Sequence, residues 1–206
     1  MNLHFTEAAS LALIDRQLEL DGVSPAQYEI VRQVIYHTAD FEYQSLLRFS
    51  EGALAKGAAA LKAVTPIVVD VAEIQVNIVP KLRQTFHNPV YCCATTGKGT
   101  DKITPASDGL KTIVKARPQS IIIIGQDATT MTTAIELIKS KAIEPSLAIL
   151  TSPLFDKPDP RAWLKNSAVP YIIIDGGKGG ANVASAILNG LLRLTWLAYG
   201  KKLDRK

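Results

Sequence analysis

His37 is the residue whose type and surroundings could do chemistry. It lies in Val34-Ile-Tyr-His-Thr-Ala-Asp-Phe-Glu-Tyr43, with Thr38 beside it and Asp40 three residues on. If a helix continues through that stretch, the imidazole and the carboxylate share one face. A carboxylate there would orient the ring, and a histidine so placed can give a proton near neutral pH. A second candidate is the glycine-rich Gly176-Gly-Lys-Gly-Gly180. Glycines let a backbone approach a ligand closely, and amides at the start of a helix attract anions. With the charge of Lys178, the amides of Gly179 and Gly180 make a candidate seat for a carboxylate or phosphate. A plain tight turn between strand and helix reads equally well from these residues. Asp70 is a third candidate, at the end of an apolar run, where an α/β sheet commonly places its ligand.

Other chemistries find no support. A phosphate-binding P-loop needs glycine five residues before its Gly-Lys pair and Ser or Thr after it. Around Gly97-Lys98 those positions hold Cys92 and Gly99, and around Gly177-Lys178 they hold Ile172 and Gly179. No Gly-x-Gly-x-x-Gly opens a helix after the first strand. The three histidines, His4, His37 and His87, form no His-x-x-x-His pair, so no metal site is expected. A hydrolase elbow, Gly-x-Ser-x-Gly, is absent.

Elements that would carry these residues can be read from the apolar pattern. Five runs rich in β-branched residues are candidate strands: 66–70, 90–94, 120–125, 147–150 and 171–175. None alternates, which suits strands covered on both faces of a mostly parallel sheet. Helical patterns are expected at 6–18, from Ser24-Pro25 towards His37, and at 51–64, 108–116, 127–139, 161–167 and 181–199. Ser24 is a good N-cap with proline at the first helical position. The segment 152–160 is a proline-rich loop. Alternating strands and helices predict a Rossmann-like α/β fold, a three-layer sandwich around a mostly parallel central sheet.

With 206 residues and 47% hydrophobic content, the chain suits a single domain over 1–206. Its 23 basic and 19 acidic residues leave a net charge of +4. Lys201-Lys-Leu-Asp-Arg-Lys206 supplies most of that excess and reads as a solvated basic tail. The body is near neutral, which argues against a nucleic-acid partner. Cys92 and Cys93 are neighbours, point to opposite faces if in a strand, and read as reduced thiols of a cytoplasmic protein. The N-terminus has no secretory pattern. Residues 181–200 are apolar apart from Arg193, Asn182, Ser185, Asn189 and Thr195, which argues for a buried helix and no membrane span.

The segment around His37, with Leu46-Leu-Arg-Phe-Ser50 behind it, resembles the precorrin-8X methylmutase family, also called precorrin isomerases. Gly57-Ala-Ala-Ala-Leu61, Pro66-Ile-Val-Val-Asp-Val71, Val169-Pro-Tyr-Ile-Ile-Ile174 with Gly179-Gly180, and Glu7-Ala-Ala-Ser-Leu-Ala-Leu-Ile14 extend the likeness over nearly the whole chain. The resemblance implies a cofactor-free homodimer of α/β fold that moves a methyl group from C11 to C12 of a corrinoid precursor. It implies that His37 protonates the macrocycle and that Ser10 matches the family's pocket serine; Thr38, Asp40 and Asp70 are further candidates for binding the substrate. The substrate's carboxylates would then meet Lys178, Gly179 and Gly180.

The chain departs from the family pattern at three places. Thr104-Pro-Ala-Ser107 stands where the family has Thr-Arg-Ser-Ala, so Pro105 replaces an arginine. Gly125-Gln-Asp-Ala-Thr-Thr-Met131 and Ser152-Pro-Leu-Phe-Asp156 replace two further family loops. These departures leave an alternative open, a non-catalytic tetrapyrrole-binding paralogue of the same fold.

Overall fold

In the computed structural model, residues 5–19, 21–155 and 158–200 are described. The basic tail at 201–206, His4 and Asp156 lie outside them. Six strands form one sheet in the order β1-β6-β5-β4-β2-β3. These are β1 (Leu47–Phe49), β2 (Ile67–Val69), β3 (Val90–Cys92), β4 (Ile121–Ile124), β5 (Leu147–Leu150) and β6 (Tyr171–Ile174). Every pairing is parallel except that of β1 with β6. The five expected runs are thus strands. The sixth, β1, is a three-residue antiparallel edge with an exposed Arg48 in its middle, too short to register as a run.

Helices cover both faces. The elements are α1 (Phe5–Asp15), α2 (Pro25–Thr38), α3 (Tyr43–Leu46), α4 (Ala53–Lys62), α5 (Ala72–Arg83), α6 (Cys93–Thr96), α7 (Pro105–Ala116), α8 (Ala128–Lys139) and α9 (Ala181–Tyr199). The expected helix at 161–167 is a 3-10 segment, Pro160–Asn166. α5 is not among the expected helices. It carries Pro80 in its third turn, but Ile74, Ile78 and Leu82 recur at helical spacing and are all buried.

The continuous apolar strands have a direct explanation. Val69, Ile121, Ile123, Ile149, Ile172 and Ile174 pack into one core with α2, α4, α5 and α9. Val68, Ile122, Ile124, Leu150 and Ile173 pack into a second core with α7 and α8. Successive residues of each strand therefore face opposite layers, and both must be apolar. Cys92 and Cys93 divide the same way, one in each core, both free and buried.

The layer arrangement fixes where a ligand belongs. From β2 the chain crosses through α5, in the first layer, to β3. From β4 it steps the other way through α8 and the 3-10 segment, in the second layer, to β5 and β6. The direction reverses between β2 and β4. In such sheets ligands bind outside the carboxyl ends of the strands, near that reversal.

Candidate active site

α2 delivers His37 to the carboxyl edge. The helix starts with a capping box: Ser24 Oγ accepts from the Gln27 amide at 3.3 Å, and Gln27 Oε1 accepts from the Ser24 amide at 2.9 Å. Its middle lies tightly on α9. A Cβ added at Gly190 would stand 2.9 Å from Ile30 Cδ1, so glycine permits the close approach. Arg193 of α9 ties Glu29 at 2.7 Å. The helix ends at Thr38, where Ala39 adopts a left-handed φ of 54° and donates its amide to Ile35.

That ending changes the expected partnership. His37 and Asp40 do not share a helical face, because the helix stops between them. The ring is oriented instead by its own helix, through a 2.8 Å bond between Nδ1 and the Gln33 carbonyl. A carbonyl only accepts, so Nδ1 carries the hydrogen and Nε2 is left to meet a substrate. His37 is exposed, with Tyr36 edge-on at 5.1 Å. Thr38 gives its hydroxyl hydrogen to Val34 at 2.8 Å and accepts from the Asp40 amide at 3.3 Å.

Asp40 belongs to a different cluster. Lys178 Nζ lies 2.6 Å from Asp40 Oδ2 and 2.5 Å from Glu42 Oε2. The lysine holds the Asp40 carboxyl below its ordinary range, helped by the Glu42 amide. Asp40, then Glu42, push the Lys178 ammonium well above the ordinary lysine range.

The glycine loop is fastened residue by residue. Arg161, fully buried, donates from Nη2 to the Gly176 carbonyl at 2.8 Å and from Nε to Asp159 at 2.9 Å. The Leu154 amide reaches the Gly177 carbonyl at 3.3 Å. The phenol of buried Tyr43 lies near the Gly179 amide, and burial raises its pKa. The Gly180 amide donates to the Thr151 carbonyl at 2.8 Å. Of the two amides expected to meet an anion, that of Gly180 is already bonded within the protein. Sequence reasoning misses Tyr43, Thr151 and Arg161 as partners of the loop; Tyr43 is legible only as part of the family-like segment around His37.

Asp70 is bonded on both of its carboxylate oxygens. Its carboxylate is fully buried and accepts from the amides of Gln126 at 2.7 Å, Asp127 at 2.9 Å, Val71 at 3.0 Å and Gly125 at 3.1 Å. Burial pushes the carboxyl above its ordinary range even against these donors. With its oxygens filled, Asp70 locks the β4–α8 turn to β2 across the reversal point. Asp127 then caps α8 and accepts from Thr130 at 2.6 Å and from Thr104. Pro105 is the first residue of α7, and Thr104 caps that helix, so Thr104-Pro105 builds a helix start. Ser10 gives its hydroxyl hydrogen to Thr6 on its own helix at 3.0 Å, and no bond joins it to His37 among the described residues.

Comparison with known proteins decides the family. The sequence profile described as precorrin-8X methylmutase matches residues 6–194. The chain belongs to the precorrin-8X methylmutase family. It is 30% identical over 203 residues to a cobalt-precorrin-8 methylmutase of Synechocystis sp., covering 91% of this chain and 94% of that one. It is 28% identical to a precorrin-8X methylmutase of Sinorhizobium sp., over 89% and 91% of the two chains. The crystal structure of a precorrin-8X methylmutase from Thermus thermophilus superposes with a TM-score of 0.85 at 29% identity, covering 94% and 96%. Among the described residues no helix is long and apolar enough to cross a membrane.

Proposed function

We propose that this chain converts precorrin-8X, or cobalt-precorrin-8, by moving a methyl group from C11 to C12, with His37 as the proton donor to the macrocycle. The observation that carries the reading is the state of His37. Its Nδ1 is committed to the Gln33 carbonyl, and on this exposed ring Nε2 has no bonded partner among the described residues. In the imidazolium form Nε2 carries a proton as well as Nδ1; given to the conjugated ring, that proton makes the ring electron-poor and leaves the histidine neutral with its hydrogen on Nδ1. The C11–methyl bond then breaks as the C12–methyl bond forms, and the proton returns to Nε2 when the product leaves. Substrate and product are isomers, so no electron or proton is gained or lost overall. The reaction needs no cofactor, in keeping with the family reading. That reading also makes the protein a cytoplasmic homodimer, which sedimentation at working concentration tests.

Mixing the purified protein with precorrin-8X, or its cobalt complex, and following the visible spectrum tests the function. Conversion to product is expected. His37→Ala is expected to slow turnover about 100-fold to 10,000-fold while leaving substrate binding largely in place. A variant as active as the parent would remove His37 from the mechanism. A stable bound spectrum without product would support the carrier alternative, which Pro105 favours by its loss of a carboxylate-binding arginine.

A further inference from the structure

The sequence pairs Lys178 with a substrate carboxylate, but its surroundings point elsewhere. Its ammonium is already shared by Asp40 and Glu42 at 2.6 and 2.5 Å, and the three groups together carry one net negative charge. Such a cluster does not attract a polycarboxylate. It does join two distant segments of the chain. On one side, Asp40 Oδ1 accepts the Glu42 amide at 2.9 Å, and the Asp40 amide bonds to Thr38, which bonds back to Val34 in the last turn of α2. Lys178 therefore pulls on a short, bonded turn that begins one residue after His37. On the other side, the loop bearing Lys178 is immobilised at Gly176 by Arg161, at Gly177 by Leu154 and at Gly180 by Thr151.

From this geometry we propose that Lys178 is a positioning residue for His37. By bridging Asp40 and Glu42 it fastens the C-terminal end of α2 to the β6–α9 loop, rather than binding the substrate. The inference rests on the methylmutase reading for its kinetic consequence but not for its structural one. A proton donor displaced by an ångström loses rate without losing binding, since binding is made by other groups.

The test uses the full-length protein and four variants. These are Lys178→Met, Lys178→Arg, the pair Asp40→Asn with Glu42→Gln, and that pair combined with Lys178→Met. With precorrin-8X, Lys178→Met is expected to lower kcat about tenfold or more with KM within about twofold. The carboxylate pair is expected to reproduce that loss, the combined variant to be no worse, and Lys178→Arg to restore most of the rate. A rise in KM with kcat intact would overturn the proposal and make Lys178 a substrate contact. In parallel, histidine ring NMR of the substrate-free protein separates its three histidines, with His37 assigned by His37→Gln. Lys178→Met is expected to shift the His37 resonances and Lys178→Arg to leave them; unmoved resonances in both would also overturn it. If the parent protein converts no precorrin-8X, the methylmutase reading fails, and the NMR arm alone decides the positioning role.

Discussion

Two carboxylates at the same edge of the sheet do opposite work. Asp70 is fully buried and spends its oxygens on four backbone amides, across the point where the strand order reverses. Asp40 is partly exposed and pairs with a lysine side chain. Backbone donors in a dry site cannot rearrange without exposing unpaired amides, so Asp70 makes a fixed floor. Two exposed side chains can part and be rehydrated at small cost, so the Lys178 cluster makes an adjustable clasp. The difference separates two kinds of anchor: the carboxylate at the strand reversal is bonded wholly to backbone, and the exposed ion pair sits on the turn that follows His37.

The contrast is broken most directly at Asp70. Asp70→Ala strips the acceptor from four amides together, and its expected cost is about 3–5 kcal/mol of stability. Urea unfolding measures it. A loss below about 1 kcal/mol would mean that water replaces the carboxylate freely, and that the floor is no more rigid than the clasp.

The next largest effect is expected at Gly179. Its φ is 148°, and a Cβ there would overlap the Thr151 carbonyl oxygen, a backbone atom that cannot swing away. Gly179→Ala should cost about 2–3 kcal/mol and disturb the Lys178 clasp as well. Gly176 supplies the control. Its φ is 90° but nothing lies within 4 Å, so Gly176→Ala carries backbone strain alone, about 1 kcal/mol. Equal losses at the two positions, read from urea midpoints, would show that the loop yields and that Thr151 does not pin it.

How far this edge is legible in the sequence follows from the same contrast. Apolar runs mark five strands, because burial on two faces leaves only apolar residues in them. Local patterns mark the helices: Ser24-Pro25 opens α2, and the apolar stretch 181–199 is α9. β1 escapes because a short edge strand carries one inward side and little pattern. α5 escapes because Pro80 interrupts a sound stripe at Ile74, Ile78 and Leu82. At the site, His37 and its family segment are readable, but the partners are not. Helical spacing pairs His37 with Asp40, and one left-handed residue, Ala39, undoes the pairing. The tie from Asp40 to Lys178 spans 138 residues of chain, and that of Asp70 to Asp127 spans 57; no local pattern encodes either.

The smallest expected effect is the pH response of the clasp, and its shape is what identifies it. The Asp40 carboxyl is held below its ordinary 3.8, so its stabilisation is complete above that value and is lost as pH falls through the lower, folded one. Lys178 is held above its ordinary 10.5, so its stabilisation is complete below that value and is lost as pH rises through the higher, folded one. Between these limits neither group changes charge. The difference in urea midpoint between the parent and Lys178→Met should therefore be small and constant from about pH 5 to pH 9. It should shrink in acid below 3.8 and in alkali above 10.5, and it should shrink with added salt at neutral pH, because both partners are reached by solvent. A difference that instead changed through the neutral range would place a fourth titrating group in the cluster, and His37, next to the turn that Lys178 holds, would be the first to replace.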